Sequence, residues 1–216
     1  MMVAARRGTV RELHRLDPLA AVAGEAQLWW LQPDDAAVVL GSRQTPDLVD
    51  AVECGRLGLD VVERRSGGGA VLVVPDQLVW VDLVAPHGVA PDDVRGSMVW
   101  AGTVWRRALA SFVGSHRELS VHSGPMIATP WSELVCFAGV GPGEVLLDGR
   151  KLVGLSQRRT RDGVRIQGTL YTSSPTIDLA ALLRPPRPAT PLPTVASLTL
   201  EPAELVGRLA AELALG

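Results

Sequence analysis

The sequence has almost no lysine. Of its 21 basic residues, 20 are arginine and one, Lys151, is lysine. Asparagine is absent, and 216 residues include only two cysteines, two phenylalanines and one tyrosine. Each scarcity excludes something. Cys54 and Cys136 cannot build a disulfide framework and fit a reducing compartment, so a cytoplasmic location is expected. A formal net charge of −2 lacks the basic excess of proteins that hold nucleic acid electrostatically. No apolar run reaches the roughly 18 residues of a membrane span. The nearest, Leu78–Ala85, carries Asp82 and reads as a buried strand. Arg6 and Arg7 precede no apolar stretch, so the N-terminal residues do not read as a secretory signal. His14, His87, His116 and His122 show no metal-ligand spacing, and no metal site is expected. Of the four, only His122 falls near the half of the chain that carries candidate chemistry.

What is present suits one compact domain. Strands are expected at 36–41, 59–63, 70–74 and 78–84, and a helix at 47–57 with Leu48, Val52 and Leu57 on one side. Pro91-Asp92-Asp93 opens a second helix that could run to Val113, with an apolar stripe of Val94, Met98, Ala101, Trp105, Leu109 and Phe112. The second half is rich in hairpins. Glu144–Asp148 and Lys151–Arg159 flank a turn at Asp148-Gly149-Arg150, and Asp162-Gly163 turns into a strand over 164–171. A short helix is expected at 177–183. The five prolines between Arg184 and Pro193 make an extended connector, and Pro202–Leu215 forms a closing helix. This pattern predicts an α/β or α+β fold with a mixed sheet flanked by helices. Residues 1–183 form the domain; 184–216 are a connector and helix packing on it. Trp29, Trp30, Trp80, Trp100 and Trp105 are read as core.

Two segments carry the chemistry. Arg64-Arg65-Ser66-Gly67-Gly68-Gly69-Ala70-Val71 lies between two strands. Three glycines strip away side chains, so backbone N–H groups can approach a ligand beside an arginine. No Gly-Lys-Ser/Thr follows, and no helix, which excludes a phosphate-binding P-loop and a dinucleotide fingerprint. A triple glycine by itself also fits a loose turn. The second segment is Asp148-Gly149-Arg150-Lys151-Leu152-Val153-Gly154-Leu155-Ser156-Gln157. Strand alternation puts Leu152, Gly154 and Ser156 on one face and Lys151, Val153, Leu155 and Gln157 on the other. The small residues leave room for a ligand chain. Arg158, Arg159, Arg161 and Arg165 make the following hairpin basic, which fits a solvated strand edge or a docking patch for acidic carriers.

Together, in this order and roughly 80 residues apart, these segments resemble the catalytic domain of lipoate–protein ligases and octanoyltransferases, within the biotin/lipoate protein ligase superfamily. The likeness spans 38–183. Gly41-Ser42-Arg43-Gln44 and Gln167-Gly168-Thr169-Leu170 also fit the pattern. Glu63 and Gln167 stand where the family often has arginine and histidine.

The resemblance implies acyl transfer to a lysine of a lipoyl domain, in a 2-oxoacid dehydrogenase or the glycine cleavage H protein. Arg64, Ser66, Gly67, Gly68, Gly69, Ala70 and Val71 would line the acyl pocket, with Gly154, Ser156, Gln157, Gly168 and Thr169 also binding substrate. Lys151 would contact the acyl carbonyl and stabilise its developing oxyanion. Cys136, in a Cys-Phe pair 15 residues before Lys151, matches the thioester-forming cysteine of some octanoyltransferases of this superfamily. Acyl carrier protein would then be the donor, and no cofactor would be required. Two alternatives stay open. One is an ATP-dependent lipoate–protein ligase using ATP and Mg and a lipoyl-adenylate. The other is a non-catalytic homologue that binds acyl groups or carriers. The resemblance also implies a monomer. Cys54 is read as an apolar filler.

Overall fold

The structure is a computed structural model that describes residues 2–22 and 24–215. In chain order the elements are β1 (Met2–Gly8), α1 (Val10–Arg15), β2 (Gln27–Pro33), β3 (Ala36–Leu40), α2 (Ala51–Arg56), β4 (Leu59–Glu63), β5 (Val71–Val73), β6 (Leu78–Pro86) and α3 (Val94–Leu109). There follow β7 (Leu119–Val121), β8 (Val145–Leu147), β9 (Arg150–Thr160), β10 (Gly163–Tyr171), α4 (Leu179–Leu182) and α5 (Pro202–Leu215). Seven strands form one sheet in the order β1-β2-β6-β10-β9-β8-β7, and three form a second in the order β4-β3-β5. The pairs β1–β2 and β3–β4 are parallel and the others antiparallel, so the expected mixed α+β architecture holds.

Three apolar layers follow. One face of the large sheet buries Val81, Leu83, Val153 and Ile166 together with Trp105 and Leu109 of α3 and Leu205 and Leu209 of α5. Its other face meets the small sheet through Leu31, Trp80, Val39, Val62 and Val73. The outer face of the small sheet is covered by α2, α4 and the segment around Trp131. A strand buried on both faces reads as an unbroken apolar run, as Leu78–Ala85 does. Its one acid, Asp82, is fully buried and accepts from Trp80 Nε1 at 2.8 Å and Arg165 Nε at 2.6 Å.

Several expectations need correcting. The helix expected at 47–57 is two short pieces. Val49 bridges to Leu183, and Asp50 then caps a six-residue α2 by accepting from Val52 and Glu53 N–H groups. Val52 is 82% exposed, and Cys54 rather than Val52 faces the core. The long helix starts at Val94, because the Asp93 carboxylate accepts from Gly96 N at 2.7 Å, and it ends at Leu109. Val94 is exposed and Phe112 packs against the core from beyond the helix end. Trp80 and Trp105 are buried, but Trp29, Trp30 and Trp100 are only half-buried. The basic hairpin is not uniformly solvated: Arg165 is buried in the Asp82 pair, and Arg159 donates to Ser97 Oγ and two carbonyls at the start of α3. β1, α1 and β2 were not expected at all.

Candidate active site

The site lies where the exit of β4 faces the first part of β9 across the two sheets. The triple-glycine loop leaves β4 and folds over Gly41. A side chain at Gly41 would start 1.8 Å from the Gly68 carbonyl oxygen, so this approach admits only glycine. Gly68 has φ +99°, a conformation that side chains disfavour. Gly69 runs against the backbone of Val135 and Cys136. The loop exit is fastened there. Ala70 N donates to Leu134 O at 2.8 Å, and Cys136 N donates to Ala70 O at 3.0 Å. Gln44 fixes the other end, accepting from Gly41 N and donating to the Glu133 and Leu134 carbonyls.

Arg64 closes the loop from inside. It is buried, and its Nη2 donates at 2.8 Å to both Gly67 O and Gly69 O, while Nη1 reaches Val39 O at 3.3 Å. Burial pushes its pKa down. Ser66 Oγ donates to Gln167 Oε1 at 2.7 Å and lies 3.0 Å from Ser156 Oγ. That network ties the loop to the large sheet through Ser156 and Gln167.

Lys151 is 6% exposed. Its Nζ donates to Cys136 O at 2.6 Å and Gly139 O at 3.2 Å, and lies 4.0 Å from Cys136 Sγ. It pairs with Glu144 Oε1 at 2.5 Å and stands 5.0 Å from the Phe137 ring centre. Glu144 also accepts from Gly141 N and Leu155 N. Burial raises the Glu144 pKa, and the ammonium and the two amides oppose that rise.

The strand parity expected for Lys151 is corrected. Leu147 pairs with Arg150 and Leu146 with Lys151, but Val145 pairs with Val153. Leu152 is an extra residue, and such a bulge changes which side chains share a face. Lys151 Cε therefore lies 3.3 Å from where a side chain at Gly154 would start, on the same side as Gly154, and Leu152 turns into the core beneath α3.

Cys136 opens a short 3-10 turn, Cys136–Ala138, and is half-exposed. Its side chain stands at the junction of two spaces. One is a slot of about 30 Å³ between the sheets, bordered by His14, Arg64, Val71, Trp80, Gly154 and Thr169; it would hold about two waters. The other is an open cleft of about 350 Å³, bordered by Gly67–Gly69, Glu144, Lys151, Gln157, Met98 and Met126. Arg95 stands at this cleft, and Arg43 at an adjoining hollow beyond Gly68 and Gly69.

Most of the residues singled out from the sequence therefore converge: Arg64, Ser66, Gly67, Gly68, Gly69, Val71, Cys136, Lys151, Gly154, Ser156, Gln157 and Thr169 border these two spaces or the loop between them. Gln157 is held by α3, donating to Val94 O and accepting from Ser97. Ala70 contributes its backbone clamp. Gly168 does not join them; a side chain there would meet the Trp105 indole of α3, on the opposite face of the sheet.

Sequence reasoning missed two residues. Glu144 was visible only as a strand start. His14, not His122, borders the slot; it stacks on Trp80 at 4.4 Å, and burial, with Arg165 and Arg64 nearby, lowers its pKa to about 3. His122 is bonded to Pro125 O away from both spaces.

This arrangement has relatives. Residues 16–197 match the family model described as lipoyl protein ligase A/B catalytic domain. The chain belongs to that family. Among solved structures, lipoate–protein ligase A bound with ATP superposes with a TM-score of 0.74 at 15% identity, over 99% of this chain and 83% of that one. A bi-partite lipoate protein ligase from Thermoplasma acidophilum, described with its E2 lipoyl domain, gives 0.72 at 16% identity, over 99% and 82%. A biotin protein ligase from Leishmania major gives 0.50 at 12%, over 98% and 72%. At these identities the structural likeness establishes the fold. A search of curated proteins returns no match. Among the described residues no helix is long and apolar enough to cross a membrane, and no group of three His, Cys, Asp or Glu could hold a metal ion.

Proposed function

We propose that this lipoyl-ligase-type domain is a cysteine-dependent acyltransferase that moves an octanoyl or lipoyl group onto a lysine of a lipoyl domain. The observation that carries the reading is the position of Cys136: among the described residues, the only thiol bordering both slot and cleft, 4.0 Å from the Lys151 ammonium. The Cys136 thiolate attacks the thioester of an acylated carrier protein, the carrier leaves as a thiolate, and an acyl-cysteine forms. The neutral amine of the acceptor lysine then attacks this thioester, its proton passes to solvent, the amide forms, and the Cys136 thiolate is released. Thiolate is a good leaving group for the second step, and Lys151 stabilises the oxyanion in both.

The test is intact mass after incubation with octanoyl-carrier protein. An octanoyl adduct on the wild type that is absent from Cys136→Ser supports the reading. Absence of any adduct on the wild type rejects it.

The fold shared with a ligase bound to ATP favours a second reading, acyl activation by nucleotide. The residues present suit a polyphosphate: Arg95 at the cleft and Arg43 at the adjoining hollow stand on either side of the Gly68–Gly69 backbone and would hold the phosphates, with Lys151 at the acyl carbonyl. Bound ATP would supply the activated acyl phosphate anhydride. Lipoate-dependent exchange of ATP and pyrophosphate that survives Cys136→Ala decides for it.

A further inference from the structure

An ammonium has three N–H donors and no acceptor. Three oxygens already take those of Lys151: Cys136 O at 2.6 Å, Gly139 O at 3.2 Å and Glu144 Oε1 at 2.5 Å. The Cys136 sulfur, at 4.0 Å, is a weaker fourth contact. No donor is left over for an acyl oxygen, so an arriving substrate must displace one of these partners. A carboxylate holds an ammonium more firmly than a carbonyl does, because both partners are charged. Gly139 O, the most distant of the three oxygens, is the one that yields.

The acid and the base are held very differently. Glu144 is fixed to the main chain. Its carboxylate accepts from Gly141 N at 2.7 Å and Leu155 N at 3.2 Å. His122 N donates to Glu144 O at 2.9 Å, and Gly143 N donates to His122 O at 2.7 Å. Gly143, with φ +87°, lies against α3 so closely that a side chain there would collide with Met98 O. Lys151, by contrast, reaches the site on a flexible four-carbon stem. It is the only base that pairs with Glu144 among the described residues; Arg95, at the same cleft, donates to Ser123 O instead.

We propose that Glu144 is a positioning residue: it pins the Lys151 ammonium beside Cys136, so that the donor now spent on Gly139 O passes to the acyl oxygen when substrate binds. The proposal rests on the reading of Lys151 as the group at the acyl carbonyl, which both mechanisms above share. Lys151 makes the contact with substrate, and Glu144 sets where that contact is offered. An ammonium held by a rigid acid meets the developing oxyanion without first having to be ordered.

The sole lysine makes the pin measurable, because lysine carrying the heavy nitrogen isotope at Nζ gives one side-chain ammonium resonance. In the wild type its protons should exchange with water far more slowly than those of free lysine, and Glu144→Gln should abolish that protection. In single-turnover acyl transfer Glu144→Gln should be about 10²-fold slower. In steady state kcat and kcat/KM should fall together. In a Lys151→Met background the added Glu144→Gln should change the rate no further, because the group it positions is gone. A wild-type ammonium that exchanges like free lysine overturns the proposal. So does undiminished transfer by Glu144→Gln, or an equal further loss in the Lys151→Met background, which would mark Glu144 as structural only. If Glu144→Gln does not fold, Glu144→Asp decides. It keeps the charge but stops one carbon short, so exchange should quicken and transfer fall about tenfold; wild-type values for both overturn the proposal. A protected ammonium that Glu144→Gln releases, in a protein that transfers no acyl group from carrier protein or from lipoate with ATP, keeps the pin and removes the acyl-transfer reading. Acyl transfer that Glu144→Gln leaves unchanged does the reverse.

Discussion

Two carboxylates are buried against basic side chains in this molecule, and they differ in what surrounds them. Asp82 and Arg165 close on each other in the middle of the large sheet. Trp80 Nε1 donates to the acid, and Leu16 O accepts from the guanidinium at 2.7 Å. Glu144 and Lys151 meet at the wall of an open cleft, where the ammonium also serves two carbonyls and faces a thiol. The first pair stands in a closed polar knot. The second leaves its cation beside space that a substrate can enter. Burial raises the pKa of both acids. The basic partners, however, respond differently to loss of their acid. Lysine can give up its proton when desolvated, and guanidinium cannot.

The contrast sets the order of expected effects. Breaking the closed knot should cost the most stability. Asp82→Asn strands a buried guanidinium and should lower unfolding free energy by about 3–5 kcal/mol in urea melts, whereas Asp82→Leu with Arg165→Met should recover much of that loss. Equal destabilisation by the double variant would show that the knot matters through shape and not charge. At the cleft the order reverses. Lys151→Met should cut acyl transfer about 10²–10³-fold in single-turnover assays. Glu144 can take a proton there, so the melting temperature of this variant should fall less than that of Asp82→Asn.

His14 sharpens the comparison through pH. Its folded pKa of about 3 lies below the unfolded value near 6.5, so the neutral ring stabilises the fold above pH 6.5, and this contribution is lost as pH falls toward 3. His14→Phe should remove about 2 kcal/mol of the acid sensitivity seen by pH 5, and parallel curves for the two proteins would reject the assignment. The smallest effect belongs to an exposed pair. Arg208→Ala breaks an i,i+4 contact with Glu204 and should change stability by less than about 0.5 kcal/mol.

The parts legible in the sequence were those whose signals are local. The hairpin at 148–150 and the run from Leu78 to Ala85 announce themselves by turn residues and unbroken hydrophobicity. The two glycine segments marked the site because their composition needs a ligand or a close backbone approach to justify it. α1 does carry a local sign, since Thr9 and Glu12 form a reciprocal cap. Other features have no local sign. The side on which Lys151 points depends on the extra residue at Leu152, which only the pairing with β8 reveals. Glu144 becomes important because the hairpin carries it to the ammonium. The break in the 47–57 segment comes from Val49 bridging to Leu183, far along the chain.

The paired hydrogen bonds between Ala70 and the Leu134–Cys136 backbone have one more consequence. They splice the cradle to the nucleophile, so the two cannot drift apart without tearing main-chain contacts. Whatever guest arrives must be accommodated by yielding on the facing bank, where Met98 and Met126 offer pliable thioether arms. Tolerance for guests of different girth is thus written into those methionines, while the distance from sulfur to glycine loop stays constant from one guest to the next.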